Sequence, residues 1–299
     1  MHRVTLYSKP DCHLCDDAKL VIERVRARHA LELVVRDIRD NAKDFANYQF
    51  AIPVITVNDR EIARHRLDEA QLEAALASQI QIVLMAKFPQ AGKVKTRLSP
   101  TLSPAQAAKT HEAFLKHLGA RLAKMNLGEI VICFDPPEAA AAMRDLMNDV
   151  SRTFVPQVAG DLTARLCGFG NASSTTLFLG GDSPDLPERF VRRTVDLLHE
   201  NDLVIGPTDD GGYWCLGLDS RVNRPELLRG IEWSSGREFD QTLERARSLG
   251  YNVGLADQWD DVDRPEDLTR LLDRLQKSTD TSDRELLTRL KFLPAGVWP

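Results

Sequence analysis

The sequence predicts an α/β protein of two segments, the larger one a three-layered α/β/α domain around a largely parallel sheet. Three observations carry this. Short apolar, β-branched runs alternate with amphipathic stretches along the chain, the pattern of strands covered by helices on both faces. The chain has 299 residues, more than one hydrophobic core usually organises. Residues 175–179 then run as an apolar strand into Gly180-Gly181-Asp182-Ser183-Pro184-Asp185, where two carboxylates sit just past a strand end. Ligands of open α/β sheets collect at such ends.

The composition is 43% hydrophobic and 28% charged with a net charge of -5. A general nucleic-acid or membrane binder would carry a clustered basic excess, so neither partner is expected. No apolar run reaches the length of a membrane span, and the first residues lack the basic-then-apolar plan of a signal peptide, so a cytoplasmic location is expected. Five cysteines, of which only Cys12 and Cys15 are close together, do not make a secreted disulfide framework.

In the first segment, residues 4–7 read as a strand and residues 8–11 as a loop. A helix begins at Cys12, with Leu20, Val21 and Val25 on one face. Cys12 and Cys15 therefore fall on a first helical turn, where free N–H groups and the helix dipole favour a thiolate. Residues 31–35 form a second strand, 41–46 a short helix, 53–57 a third strand that 61–63 can pair with, and 67–77 a closing helix. A zinc half-site is the competing reading of the two cysteines, but no second pair follows at suitable spacing.

Lys9-Pro10-Asp11-Cys12-His13-Leu14-Cys15 together with Ala51-Ile52-Pro53-Val54 resembles a glutaredoxin-like domain of the thioredoxin fold. The resemblance implies thiol–disulfide chemistry at Cys12 and Cys15 with a thiol or redox partner, and a cis proline at Pro53 lying against the cysteine pair. Asn58-Asp59-Arg60-Glu61 stands where typical glutaredoxins have a Gly-Gly pair. The expected domain spans residues 1–78, with a boundary near Gln79.

The second segment opens with a buried strand at 82–86. Lys87, Lys93, Lys95 and Arg97 follow, four cations in eleven residues just past a strand. A solvated basic loop and a phosphate cradle both fit that cluster, and its place at the strand end favours the cradle. It is neither a Gly-x-Gly-x-x-Gly fingerprint nor a Walker loop. Ser103-Pro104 starts a long helix by cap and N1 proline, with Phe114, Leu115, Leu118, Leu122 and Met125 along one face. Strands at 129–134 and 153–155 flank a helix at 137–147, and a short helix begins near residue 160.

After the strand at 175–179, Asp182 and Asp185 offer the hard oxygen ligands that Mg2+ or Mn2+ takes, although Asp-Ser-Pro-Asp also suits a turn and helix start. A helix at 190–198 follows, then strand-like runs at 203–205 and 213–218 joined by Thr208-Asp209-Asp210-Gly211-Gly212. Asp-Gly is also an ordinary hairpin turn. A helix at 239–249 carries Phe239, Leu243, Ala246 and Leu249. Asp261 and Asp263 then precede a helix striped by Leu268, Leu271, Leu272 and Leu275, a place where acids are favourable whatever their role. Residues 276–299 read as a polar linker and tail with one short helix at 285–292.

In order and spacing, the Lys-Val-Lys-Thr-Arg-Leu run, the 181–187 turn, the 206–213 loop and Asp261-Val262-Asp263-Arg264-Pro265-Glu266-Asp267-Leu268 resemble the DUF2064 family of GT-A glycosyltransferases. The resemblance covers residues 80–275. It implies the nucleotide-diphospho-sugar transferase fold, a nucleotide sugar across the strand ends, a small-molecule acceptor, and Mg2+ or Mn2+ on Asp182 with Asp185, Asp261 or Asp263. Lys87, Lys93, Lys95 and Arg97 would hold phosphate, and Asp209 or Asp210 would serve as base. The first loop also resembles that of 2-phospholactate guanylyltransferases, so nucleotidyl transfer stands beside glycosyl transfer. A non-catalytic sugar-nucleotide sensor with a redox domain is the third reading.

Overall fold

The computed structural model describes residues 2–57, 60–77, 80–99, 101–170 and 174–299. The chain divides into two compact units, Met1–Gln79 and Ile80–Pro299. The boundary expected at Gln79, and Asn58 and Asp59 of the stretch replacing a Gly-Gly pair, lie outside the described residues.

The first unit runs β1 (His2–Ser8), α1 (His13–Arg26), β2 (Leu31–Asp37), α2 (Ala42–Tyr48), β3 (Val54–Val57), β4 (Arg60–Arg64) and α3 (Glu69–Ala77). Its four strands lie in the order β2-β1-β3-β4, with β1 parallel to β2 and antiparallel to β3. Val4 and Leu6 of β1 pack with Ala18, Val21, Ile22 and Val25 of α1. Leu20 does not share that face; it is 60% exposed, because a step of 100° per residue carries it away from Val21 and Val25. The Ile52–Pro53 peptide is cis.

The second unit runs β5 (Ile80–Lys87), α4 (Pro104–Met125), β6 (Glu129–Asp135), α5 (Ala140–Met147), β7 (Thr153–Pro156), α6 (Leu162–Gly168), β8 (Thr175–Gly180) and α7 (Glu188–Glu200). It continues with β9 (Leu203–Pro207), β10 (Tyr213–Leu218), α8 (Arg224–Leu227), α9 (Glu238–Ser248), β11 (Val253–Leu255), α10 (Pro265–Lys277) and α11 (Thr281–Arg289). The sheet order is β11-β9-β10-β8-β5-β6-β7, parallel except for β10, which runs antiparallel to both neighbours. Alternation along the strands makes two cores. Ile82 and Leu84 join Leu115, Leu118 and Val191 on one face, and Val83 joins Phe178, Leu216 and Ala246 on the other.

Three features of this unit set up the strand ends. Met85 pairs in register with Gly180, so the chain leaves β5 and β8 side by side. Gly181 lies under α4: a Cβ there would stand 2.6 Å from Leu115 Cδ2, so only glycine lets the helix close over the end of β8. The loop after β5 is pinned by Leu98 and Leu102, which pack with Phe114 and α10.

Two expectations change. Residues 276–299 do not trail as a linker and tail, because Leu286, Leu290, Leu293 and Val297 bury against Leu268, Leu271 and Leu275. The edge strand β11, which the sequence reading did not include, has only three residues and pairs with β9 alone.

Candidate active site

The strand-end cluster forms around Lys95. Val94 and Leu98 are buried on either side of it, and Lys95 adopts left-handed backbone (φ 48°), which turns its side chain inward. Its side chain is 3% exposed; Nζ donates to Asp182 Oδ1 at 2.6 Å, to Asp263 Oδ1 at 3.0 Å and to the Val262 carbonyl at 2.6 Å. Burial by itself would lower the pKa of Lys95, but the two carboxylates outweigh it and hold the ammonium above its ordinary value. Burial likewise opposes ionisation of Asp182, and the Lys95 charge overcomes it, so Asp182 lies below the usual carboxylate range.

Hydrogen bonds tie the β8 turn to the acidic loop before α10, among them one from Ser183 Oγ to the Asp260 carbonyl at 3.2 Å. The Val262 N–H donates to the Asp182 carbonyl at 3.0 Å, and Ser183 Oγ donates to Asp261 Oδ1 at 2.7 Å. Asp261 is pushed up to about 7, first by burial and then by the nearby charge of Asp182. Lys95 thus neutralises only part of the charge of Asp182, Asp261 and Asp263, and Arg97 reaches Asp263 Oδ2 at 3.3 Å from a side chain 64% exposed.

Beside these acids lies a cleft of about 710 Å3 lined by Arg97, Asp210, Tyr213, Trp233, Asp261 and Asp263, among others. The turn of the β9–β10 hairpin forms part of its wall. Asp210 Oδ1 accepts from Thr208 Oγ1 at 2.6 Å and from the Gly212 N–H at 3.1 Å, fixing that turn. Gly211 has φ +86°, and a Cβ there would come 2.0 Å from the Gly236 carbonyl oxygen. Asp209 does not line that cleft; it lines an adjoining hollow of about 180 Å3 that shares Arg97, Thr208, Asp210, Asp261 and Asp263 with it, and accepts from Gln258 Nε2.

The structure therefore brings Lys95, Arg97, Asp182, Asp261 and Asp263 together and sets Asp210 on the same cleft. It does not assemble four cations into one phosphate cradle: Lys87 and Lys93 are exposed, Lys95 is buried among carboxylates, and Arg97 alone of the four lines the cleft. Asp185 is not beside Asp182. Its carboxylate turns to Arg274 of α10, which donates from Nε at 2.6 Å and from Nη2 at 3.2 Å, so both oxygens are engaged.

The sequence reading missed His111 of α4, which is 4% exposed with Nε2 2.9 Å from the Lys87 carbonyl and Nδ1 3.8 Å from Asp182 Oδ1. The signal was a polar residue one turn before Leu115 on an otherwise apolar helix face. Trp233, Tyr213 and the residues before α6 that line the cleft were missed because they come from separate segments.

The donor set fits a divalent cation. Lys95 is paired with two carboxylates, Asp182 and Asp263, and Asp261 stands close enough to feel the charge of Asp182. Among the described residues no group of three or more His, Cys, Asp or Glu side chains is placed to hold a metal ion. The fit is therefore to an ion with one or two protein ligands and the remainder from phosphate and water, the usual arrangement at phosphate-handling sites.

In the first unit, Cys12 and Cys15 are joined by a disulfide, with Cα atoms 5.3 Å apart. Cys12 is the N-cap of α1 and half-buried, whereas Cys15 is 2% exposed.

These two units define a class: a thioredoxin-like module joined to a nucleotide-diphospho-sugar transferase-like domain. Residues 3–77 match the glutaredoxin-like domain (DUF836), and residues 117–235 match the family described as uncharacterized protein conserved in bacteria (DUF2064). Residues 3–77 and 117–235 thus resemble, in turn, a glutaredoxin-like domain and the DUF2064 family. It is similar to a crystal structure described as a "putative nucleotide-diphospho-sugar transferase" from Desulfovibrio desulfuricans, with 26% identity and a TM-score of 0.63 over 72% of this chain and 98% of the other. Looser likenesses carry no functional weight. A cytidylyltransferase from Leptospira borgpetersenii has 14% identity and a TM-score of 0.47 over 74% of this chain and 97% of the other. A manganese complex of Rv0371c from Mycobacterium tuberculosis has 21% identity and a TM-score of 0.38 over 71% and 99%.

Among the described residues, no helix is long and apolar enough to cross a membrane.

Proposed function

We propose that the second unit transfers a glycosyl group from a nucleotide-diphospho-sugar to a small acceptor with the help of Mg2+ or Mn2+, and that the first unit is a thiol–disulfide module acting on a thiol partner. The observation that carries the transferase reading is the gathering of Asp182, Asp261 and Asp263 at the ends of β5 and β8, beside a cleft large enough for a sugar and an acceptor. Likeness to the Desulfovibrio desulfuricans structure supports the same reading.

In this reaction the bond from the anomeric carbon to the diphosphate oxygen breaks with its electron pair leaving on the diphosphate, while an acceptor oxygen bonds to that carbon and loses its proton. A divalent cation on Asp182 would neutralise the charge growing on the departing diphosphate. Arg97, exposed at the cleft, adds a guanidinium suited to phosphate oxygens. Asp210 takes the role of base: Oδ1 holds the hairpin turn, and Oδ2 is left for the acceptor hydroxyl. Lys95 organises the acids instead of touching phosphate.

The test is a thermal-shift panel of nucleotides and nucleotide sugars with Mn2+ or with chelator, since a ligand of the native state raises the midpoint, followed by product analysis with the stabilising donor. Release of a nucleoside diphosphate is the expected result. Release of pyrophosphate from a nucleoside triphosphate would replace this reading with nucleotidyl transfer, and absence of any stabilisation would remove both.

A further inference from the structure

His111 is placed by features that have nothing to do with catalysis, and they leave one of its nitrogens in an unusual position. The capping box of Ser103 and Gln106 fixes the start of α4, and Gly181 allows that helix to close on the end of β8; a Cβ on Gly181 would lie 3.9 Å from His111 Cε1. The imidazole is thereby held beside Asp182.

A backbone carbonyl can only accept, so the 2.9 Å contact with the Lys87 carbonyl puts the ring hydrogen on Nε2. At 3.8 Å from Asp182 Oδ1, Nδ1 is too distant to be donating a hydrogen to it. Nδ1 then carries an unshared pair. It is fully buried, has no hydrogen-bond partner, and faces Asp182 Oδ1 across 3.8 Å. Two electron pairs opposed in this way repel unless something positive lies between them. Buried polar atoms without partners are uncommon and call for an explanation.

We propose that His111 Nδ1 and Asp182 are the two protein ligands of one divalent cation, and that the nitrogen gives the site a preference for Mn2+, Co2+ or Zn2+ over Mg2+. The inference rests on the acidic cluster being a divalent-cation site and adds a ligand and a selectivity to it. Two ligands each bonded at about 2.1 Å to a common ion stand between about 3 and 4.2 Å apart, according to the angle at the metal. The observed 3.8 Å falls inside that span. Carboxylate and water suit Mg2+ and Mn2+ alike, whereas an imidazole nitrogen favours transition ions over Mg2+, least for Mn2+ and more for Co2+ and Zn2+. The hydrogen bond from Nε2 to the Lys87 carbonyl is the outer contact that metal-bound histidines generally make, fixing the tautomer and the ring plane. Asp182 Oδ1 already accepts from Lys95, so the ion shares this carboxylate with the ammonium.

The experiment uses the full chain, freed of metal by chelation, and Mn2+ alone as the probe. Electron spin-echo modulation of bound Mn2+ should show coupling to a 14N nucleus, replaced by the 15N pattern in protein labelled at histidine. Loss of the free Mn2+ signal during titration gives the affinity, which should fall roughly tenfold or more in His111→Gln, with nitrogen coupling gone and the preference over Mg2+ narrowed. If His111→Gln does not fold, the labelled parent still gives the coupling, and His111→Asn gives the second affinity. Mn2+ bound without nitrogen coupling would overturn the role of His111 while leaving the carboxylate site standing. Undiminished nitrogen coupling in the His111 variants would also overturn it, by placing the ion on another histidine. No Mn2+ binding by the parent, with or without a nucleoside diphosphate, would defeat both this inference and the metal-assisted reaction on which it rests.

Discussion

Lys95 Nζ lies 2.6 Å from Asp182 Oδ1 with the lysine side chain 3% exposed, so a residue of the loop after β5 acts as the internal cation of an acidic cluster formed by two other loops. Removing one partner of such a pair leaves charge uncompensated, which typically costs more than the pair contributes. Lys95→Met should therefore lower stability by on the order of 3 kcal/mol. Mn2+ should restore part of the loss by supplying positive charge at the same acids. Denaturant unfolding in chelator and in Mn2+ measures both effects; an unchanged midpoint in chelator would show that the ammonium is not what holds the cluster.

Asp182 and Asp185, three residues apart, should behave differently. Asp182 faces the cluster, whereas Asp185 is engaged by Arg274. Asp182→Ala should reduce metal-assisted binding of a nucleoside diphosphate by about tenfold or more and also lower stability, because it strips the buried Lys95 of one of its two carboxylates. Asp185→Asn should lower stability only, weakening a buried pair and leaving the metal-assisted part of the affinity in place. Calorimetric titration with Mn2+ and with chelator, alongside unfolding curves, separates the two patterns.

The pH dependence of stability should carry the mark of Asp261, whose pKa rises from 3.8 to about 7 in the folded chain. Between those values the folded state holds a proton that the unfolded state has released. Stability from this group is therefore complete below 3.8 and is lost as pH rises through about 7. In chelator, Asp261→Asn should be less sensitive than the parent over that window. Matching thermal midpoints for parent and variant at each pH would contradict the burial and repulsion assigned to Asp261.

In the reduced protein Cys12 should be the faster thiol to alkylate. It caps the start of α1, where free N–H groups favour thiolate, while Cys15 is 2% exposed and lies inside the helix. Cys12→Ser should abolish disulfide exchange and leave nucleotide affinity within about tenfold of the parent, because the units have separate cores. Alkylation rates against pH, and nucleotide titration of the same variant, check the two halves; a larger loss of affinity would show that the units are coupled.

Local chemistry by itself determined the alternation of strands and helices, because periods of 2 and 3.6 are written in neighbouring residues. It also determined that Asp182 stands just past a strand, that Asp261 and Asp263 precede a helix and that Cys12 opens another. It could not determine which charges meet. Lys95 and Arg97 look alike as cations in one loop, yet one is buried against Asp182 and the other is 64% exposed, because buried Val94 and Leu98 rotate the chain between them. Asp185 looks like Asp182 until α10, 89 residues further on, brings Arg274 against it. His111 reads as a polar interruption of an apolar stripe, and only the bare backbone of Gly181 brings its ring to the acids. The tertiary structure alone decided these pairings, since electrostatic attraction and hydrogen bonding depend on distance in space and carry no trace in the order of residues that lie far apart along the chain.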